Sequence, residues 1–158
     1  MTVQIPRDTT VGSGHGGVRI VLDGARGGGR LSVAECVLGE GYALPFHVHD
    51  REDEVVHVQE GELLVYLGGE ERVLTAGNAM YLPRGVEHSF AAVCGGAKVL
   101  CTYTPAGFEE FLVEMDGIMA SSSGVERLIA AAARYGCDIT GEPPVGFTDF
   151  GDGMGGRT

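Results

Sequence analysis

The stretch "HVHDREDE", residues 47–54, sets two histidines and four carboxylates around one arginine. Residues two apart in a strand share a face, so His47 and His49 point the same way, as two ligands of one ion must. Next comes Glu54-Val55-Val56-His57-Val58-Gln59. Here Glu54 shares its face with Val56 and Val58, whereas Asp53 falls with Val55, His57 and Gln59. The face holding only valines is the interior one, which points Glu54 into the core. A buried carboxylate is costly unless it pairs or binds a cation. His88 is the fourth candidate: Val86, Phe90 and Ala92 share its face, while Glu87 and Ser89 take the other. Any one of these groups alone reads as ordinary strand polarity or a core histidine. Three imidazoles and one carboxylate turned inward together are a ligand set for a divalent transition metal.

Short β-branched or aromatic-rich segments must position them. They fall at 18–22, 31–38, 54–59, 62–67, 79–83, 88–93 and 98–103, separated by Gly-rich turns. Strands this short and this regularly punctuated predict an all-β sandwich or barrel. The pattern then changes. Phe108, Phe111, Leu112 and Met115 form one helical stripe. A second helix is expected to open at Ser123, with Glu126 completing a capping box. Its apolar face is Val125, Leu128, Ile129 and Ala132, and Gly136 supplies a left-handed stop. Residues 1–17 read as a flexible Gly-rich lead-in, and 141–158 as a Pro/Gly-rich tail. "GSGHGG" at 12–17 matches a phosphate-cradling glycine pattern, but it precedes a strand instead of opening a helix after one. The "DFG" at 149–151 is tail sequence without kinase elements around it.

The bulk numbers narrow the function. At 158 residues the chain suits one domain with a sizeable core. A formal net charge of −11 would repel a phosphate backbone, so nucleic acid is not an expected partner. No apolar run approaches the ~20 residues of a membrane-spanning helix, so no membrane is expected either. The start "MTVQIPRDTT" lacks the regions of a secretion signal, which predicts a cytoplasmic protein. Cys36, Cys94, Cys101 and Cys137 form no CxxC pair and read as small hydrophobes, not zinc ligands.

Two longer spacings are recognisable. Gly41-x5-His47-x-His49-x4-Glu54-x6-Gly61 resembles the first cupin motif, and Gly77-x5-Pro83-x-Gly85-x2-His88 the second. Ala92 stands where the second motif usually ends in Asn, which is not a ligand in that family. The resemblance implies a cupin β-barrel of two antiparallel sheets, jelly-roll type, over 18–105, followed by a segment of two short C-terminal helices over 106–140. It implies His47, His49, Glu54 and His88 as metal ligands, with Asp50, Arg51, Glu52 and Asp53 as the solvated loop between them. The segments "YTPAGFEEFL" and "AARYGCDITGEPP" extend it to single-domain, quercetin-dioxygenase-like bacterial cupins. By that resemblance one divalent ion is expected per chain: zinc, nickel, iron, manganese, cobalt or copper. The implied activity is a dioxygenase acting on an aromatic, polyphenolic or polyketide small molecule, with Glu54 also serving as base. Tyr42, Leu44, Phe46 and Phe90 would line the pocket. The alternatives are a non-oxidative polyketide cyclase, isomerase or lyase, and a non-catalytic small-molecule binder. A homodimer is expected too, because small cupins commonly pair and the strand at 18–22 would otherwise be an open edge.

Overall fold

Alternation of inward and outward side chains organises most of the chain. The computed structural model describes residues 10–13, 16–120, 124–144 and 146. Their strands are β1 (Thr10–Ser13), β2 (Gly16–Leu22), β3 (Ser32–Leu38), β4 (Phe46–His49), β5 (Asp53–Leu67), β6 (Glu70–Thr75), β7 (Ala79–Leu82) and β8 (His88–Thr104). Helices α1 (Phe108–Ala120) and α2 (Val125–Arg134) follow, then β9 (Cys137–Gly141). The chain is therefore mostly β with two helices, as expected.

The strands form one antiparallel network, ordered β1-β2-β3-β8-β4-β9, with β5 pairing β6, β7 and β8. It folds over into two layers without closing into a hydrogen-bonded barrel. The long strands β5 and β8 pass through both layers. Residues 53–58 of β5 pair with the second half of β8, and 63–67 with its first half. Between them the register shifts at Val58/Glu60 and at Gly61/Leu63. Glycine is required at this bend. Gly61 has φ 78° and Gly96 φ 86°. A β-carbon at Gly61 would stand 2.2 Å from the Gly96 carbonyl oxygen, and one at Gly96 2.6 Å from that of Leu38. Only a residue without a side chain lets the backbones approach so closely.

Burial follows the two-residue period. Ser32, Ala34, Cys36 and Leu38 of β3 turn inward, as do Glu54, Val56 and Val58 of β5. They meet the helical stripe Phe108, Phe111, Leu112 and Met115, all buried. Glu109, in the first turn of α1, accepts hydrogen bonds from the Gly107 and Gly24 amides at 2.7 Å each. That carboxylate ties the helix start to the β2–β3 connection.

Several expectations need correction. Part of the expected lead-in is strand: β1 pairs with Gly16–Arg19 of β2, so β2 is not an open edge. Strand β6 arises from the polar "EERVLT", where only Leu74 is buried, and β9 from "CDITG", where only Cys137 is. Neither has an alternation to betray it. Helix α2 begins after Gly124, which provides no side-chain cap, and Ser123 lies outside the described residues. Its buried face is Ala131 and Ala132 with partly buried Leu128 and Tyr135, whereas Val125 and Ile129 are exposed. The expected stripe shares Leu128 and Ala132 with the real one. Four consecutive alanines, 130–133, carry too little contrast to choose between them. Gly136, at φ 74°, does follow the helix end. The motifs at 12–17 and 149–151 fall wholly or partly outside the described residues, and 141–158 mostly so.

Candidate metal centre and its cavity

Both layers contribute to the site. His47 and His49 project from β4, His88 opens β8 in the same layer, and Glu54 comes from the first half of β5 in the other. All four are buried, and one ligand atom from each lies within 4.8 Å of all the others. Nδ1 of His47 donates to the Pro45 carbonyl at 2.8 Å, and Nδ1 of His88 to that of Val86 at 2.9 Å. A carbonyl can only accept, so both rings carry their proton on Nδ1 and keep a lone pair on Nε2. Nε2 of His49 and of His88 each stands 3.5 Å from Glu54 Oε2. His49 Nε2, His88 Nε2 and Glu54 Oε1 are buried without hydrogen-bond partners. Buried polar atoms ordinarily find partners. Bare imidazole nitrogens gathered beside the Oε2 of a buried carboxylate fit a cation, and three imidazoles with a carboxylate suit a divalent transition metal.

The electrostatics favour the neutral form of His47 and the ionised form of Glu54. Burial, aided by His88 and then His49, pushes His47 down to about 3. Burial would raise Glu54, but the neighbouring His49 and His88 outweigh it and hold the carboxyl below its ordinary value. Burial also works to lower His88, yet the Glu54 carboxylate prevails and its value is raised. At 3.5 Å this attraction acts through space more than through a well-formed hydrogen bond.

The loop residues divide. Asp50 and Arg51 are exposed, and Asp53 grips Arg84 at the surface, with Oδ2–Nη2 2.9 Å and Oδ1–Nε 3.0 Å. Glu52 corrects the expectation of a solvated side chain. It is 3% exposed, and its Oε2 lies 3.9 Å from His49 Nδ1. Burial pushes its carboxyl above the ordinary value. The signal was present in the sequence: the period that turns Glu54, Val56 and Val58 inward, run one step back, turns Glu52 inward too.

The site opens on a cavity of about 90 Å³ onto which His47, His49 and Glu54 face. Of the expected pocket residues, Tyr42, Leu44 and Phe90 line it. Phe46 does not. It lies one residue out of phase with His47 and packs edge-on against Tyr66, ring centroids 5.5 Å apart. The helices supply a wall that strand patterns could not foresee: Phe108, Phe111, Leu112 and Met115 from α1, and Leu128 from α2. The Phe108 ring stands 4.3 Å from that of His49. Tyr103, Cys36, Cys101 and Cys137 also line the cavity. Burial holds Cys137 at about 12, so its thiol stays protonated and behaves as an apolar surface.

Comparison with known proteins agrees with this geometry. Residues 34–103 match the family model described as the cupin domain. KdgF from Halomonas sp. superposes with a TM-score of 0.56 at 23% identity, over 62% of this chain and 87% of that one. An RmlC-like cupin from Shewanella frigidimarina gives 0.54 at 25% identity, over 62% and 83%. Ectoine synthase from P. lautus gives 0.57 at 19% identity, over 67% and 75%. No curated protein matches the sequence. Among the described residues no helix is long and apolar enough to cross a membrane. Both motifs of the sequence lie inside the matched segment, and their histidines and glutamate gather at one point between two strand layers, so over residues 34–103 the chain is similar to the cupin domain.

Proposed function

We propose that this protein is a metal-dependent oxygenase of the quercetin-dioxygenase-like kind, acting on a planar, largely apolar molecule such as a polyphenol or aromatic polyketide. The observation that carries the reading is the placement of the His47, His49, Glu54 and His88 group against a cavity walled mainly by aromatic and aliphatic side chains. A divalent transition metal held by these four would supply Lewis acidity toward a substrate oxygen. The chain's own residues do the rest. Carbonyls of Pro45 and Val86 hold the rings of His47 and His88 in one tautomer. Glu54 turns Oε2 toward the histidines and leaves Oε1 without a partner, so Oε1 is the atom that takes a proton from a substrate hydroxyl. Phe90, Phe108 and Phe111 line the space a flat substrate would occupy, and the apolar wall excludes water. Among the described residues no lysine or arginine lines the cavity, which favours an uncharged substrate over a carboxylate or phosphate.

Protein purified without added metal should contain one equivalent of a transition metal by elemental analysis. A screen of flavonols and aromatic polyketides should then find turnover with oxygen uptake. Turnover without uptake would select a cyclase, isomerase or lyase. Tight binding without turnover would make the protein a small-molecule binder.

A further inference from the structure

His49 differs from the other two histidines in how its outer nitrogen is placed. His47 and His88 each donate from Nδ1 to the carbonyl two residues earlier. Nδ1 of His49 is buried without a partner and faces Oε2 of Glu52 at 3.9 Å. That oxygen is also buried without a partner. A donor and an acceptor, each lacking what the other offers, therefore confront each other in the interior. The carboxylate is confined as well: a β-carbon at Gly107, just before α1, would stand 3.6 Å from Glu52 Oε1.

We propose that Glu52 is a positioning residue for the metal centre, its Oε2 accepting the Nδ1 proton of His49 and so presenting Nε2 as the ligand nitrogen. The inference rests on reading the four-residue group as a metal site. A neutral imidazole carries one proton, and a ring that gives its Nε2 lone pair to an ion must hold that proton on Nδ1. A buried N–H then needs an acceptor. Closing the gap takes a shift of about 1 Å to reach ordinary hydrogen-bond distance. A carboxylate in this role raises the basicity of the ring beyond what a carbonyl achieves, and such partners are typically worth about 10–100-fold in metal affinity.

The test uses the full chain stripped of metal and titrated with Co²⁺ and Zn²⁺ against a competing chelator. Glu52→Ala should weaken Co²⁺ binding on the order of 10–100-fold and shift its visible absorption. Glu52→Gln, which keeps an acceptor oxygen without the charge, should fall between wild type and Glu52→Ala. In ¹H–¹⁵N spectra of the zinc-loaded protein, the Nδ1–H signal of His49 should move or vanish in Glu52→Ala, while those of His47 and His88 stay. Wild-type affinity with an unmoved His49 signal would overturn the proposal. If Glu52→Ala does not fold, the same result in Glu52→Gln overturns it. A wild-type chain that binds neither ion would instead defeat the metal-site reading on which the proposal stands.

Discussion

His47 and His88 are cross-strand partners, the single paired rung between β4 and β8, and their rings stand 4.4 Å apart at 61°. Two imidazoles this close, both buried, cannot readily carry charge together. Burial first, and the His88 ring second, keep His47 neutral in the folded protein, where the unfolded chain would protonate it.

This has a measurable consequence for the metal-free protein. His47 stands at about 3 when folded against an ordinary 6.5. Between those values the unfolded chain binds a proton that the folded chain refuses. The His47 contribution is therefore fully present above pH 6.5 and is lost as the pH falls toward 3. His88, raised by Glu54, works in the opposite sense: its contribution is full below 6.5 and lost as the pH rises through its raised value. Replacing His47 with Gln should flatten the acid limb alone, by up to about 2–3 kcal/mol between pH 6.5 and 4.5. Urea unfolding at the two pH values measures it, and equal slopes in both proteins would refute it.

His49→Ala should abolish stoichiometric metal binding, while His57→Ala should not. His57 is on the outward-facing alternation of β5, paired with Ala79 and Leu100. Elemental analysis of both variants decides. An equally empty site in His57→Ala would mean that the face assignment is wrong.

Glu54→Gln should separate holding the ion from moving a proton. Glutamine keeps a carbonyl oxygen as a weaker ligand but cannot act as a base. Metal content should fall only partly, and turnover by about 100-fold or more, as for loss of a general base. Asp53→Asn should leave both unchanged, because that carboxylate is engaged with Arg84 at the surface. A turnover loss in Asp53→Asn with Glu54→Gln silent would place the functional carboxylate one residue earlier.

Phe108→Ala should cost about 3–5 kcal/mol in urea unfolding, the usual range for emptying a buried phenylalanine site. The ring packs against His49, Tyr103 and Phe111 at centroid distances of 4.3, 5.0 and 5.2 Å. It supplies no ligand atom, so metal content should stay at one per chain. A stability loss below about 1 kcal/mol would mean that α1 does not seal the cavity.

We also propose a homodimer. Among the described residues, strands β6 and β7 each pair only with β5, and they expose Val73 (59%) and Tyr81 (55%). Open strand edges bearing apolar residues are ordinarily covered. Light scattering at micromolar concentration should give twice the 16.5 kDa chain mass. The monomer mass would contradict this.

The inward cluster was legible because strand parity is local: His47, His49, Glu54 and His88 needed only a period of two and apolar neighbours to be turned inward. The same rule holds for Glu52, whose burial one more step of the alternation indicates. Parity also put Phe46 out of phase with the site, although an aromatic side chain beside two ligands invites a pocket role. What parity could not supply is anything set by packing between distant segments. Strands β6 and β9 are held by partners elsewhere in the chain and bury one side chain each, so their own residues carry almost no pattern. The α2 stripe was ambiguous because its alanines fit either rotation, and only packing against β9 and α1 selects Ala131 over Ile129. That α1 and α2 help wall the cavity beside the histidine–glutamate cluster is a tertiary fact. An amphipathic stripe records that a helix buries one face, and contacts such as Glu109 with Gly24 decide what that face is buried against.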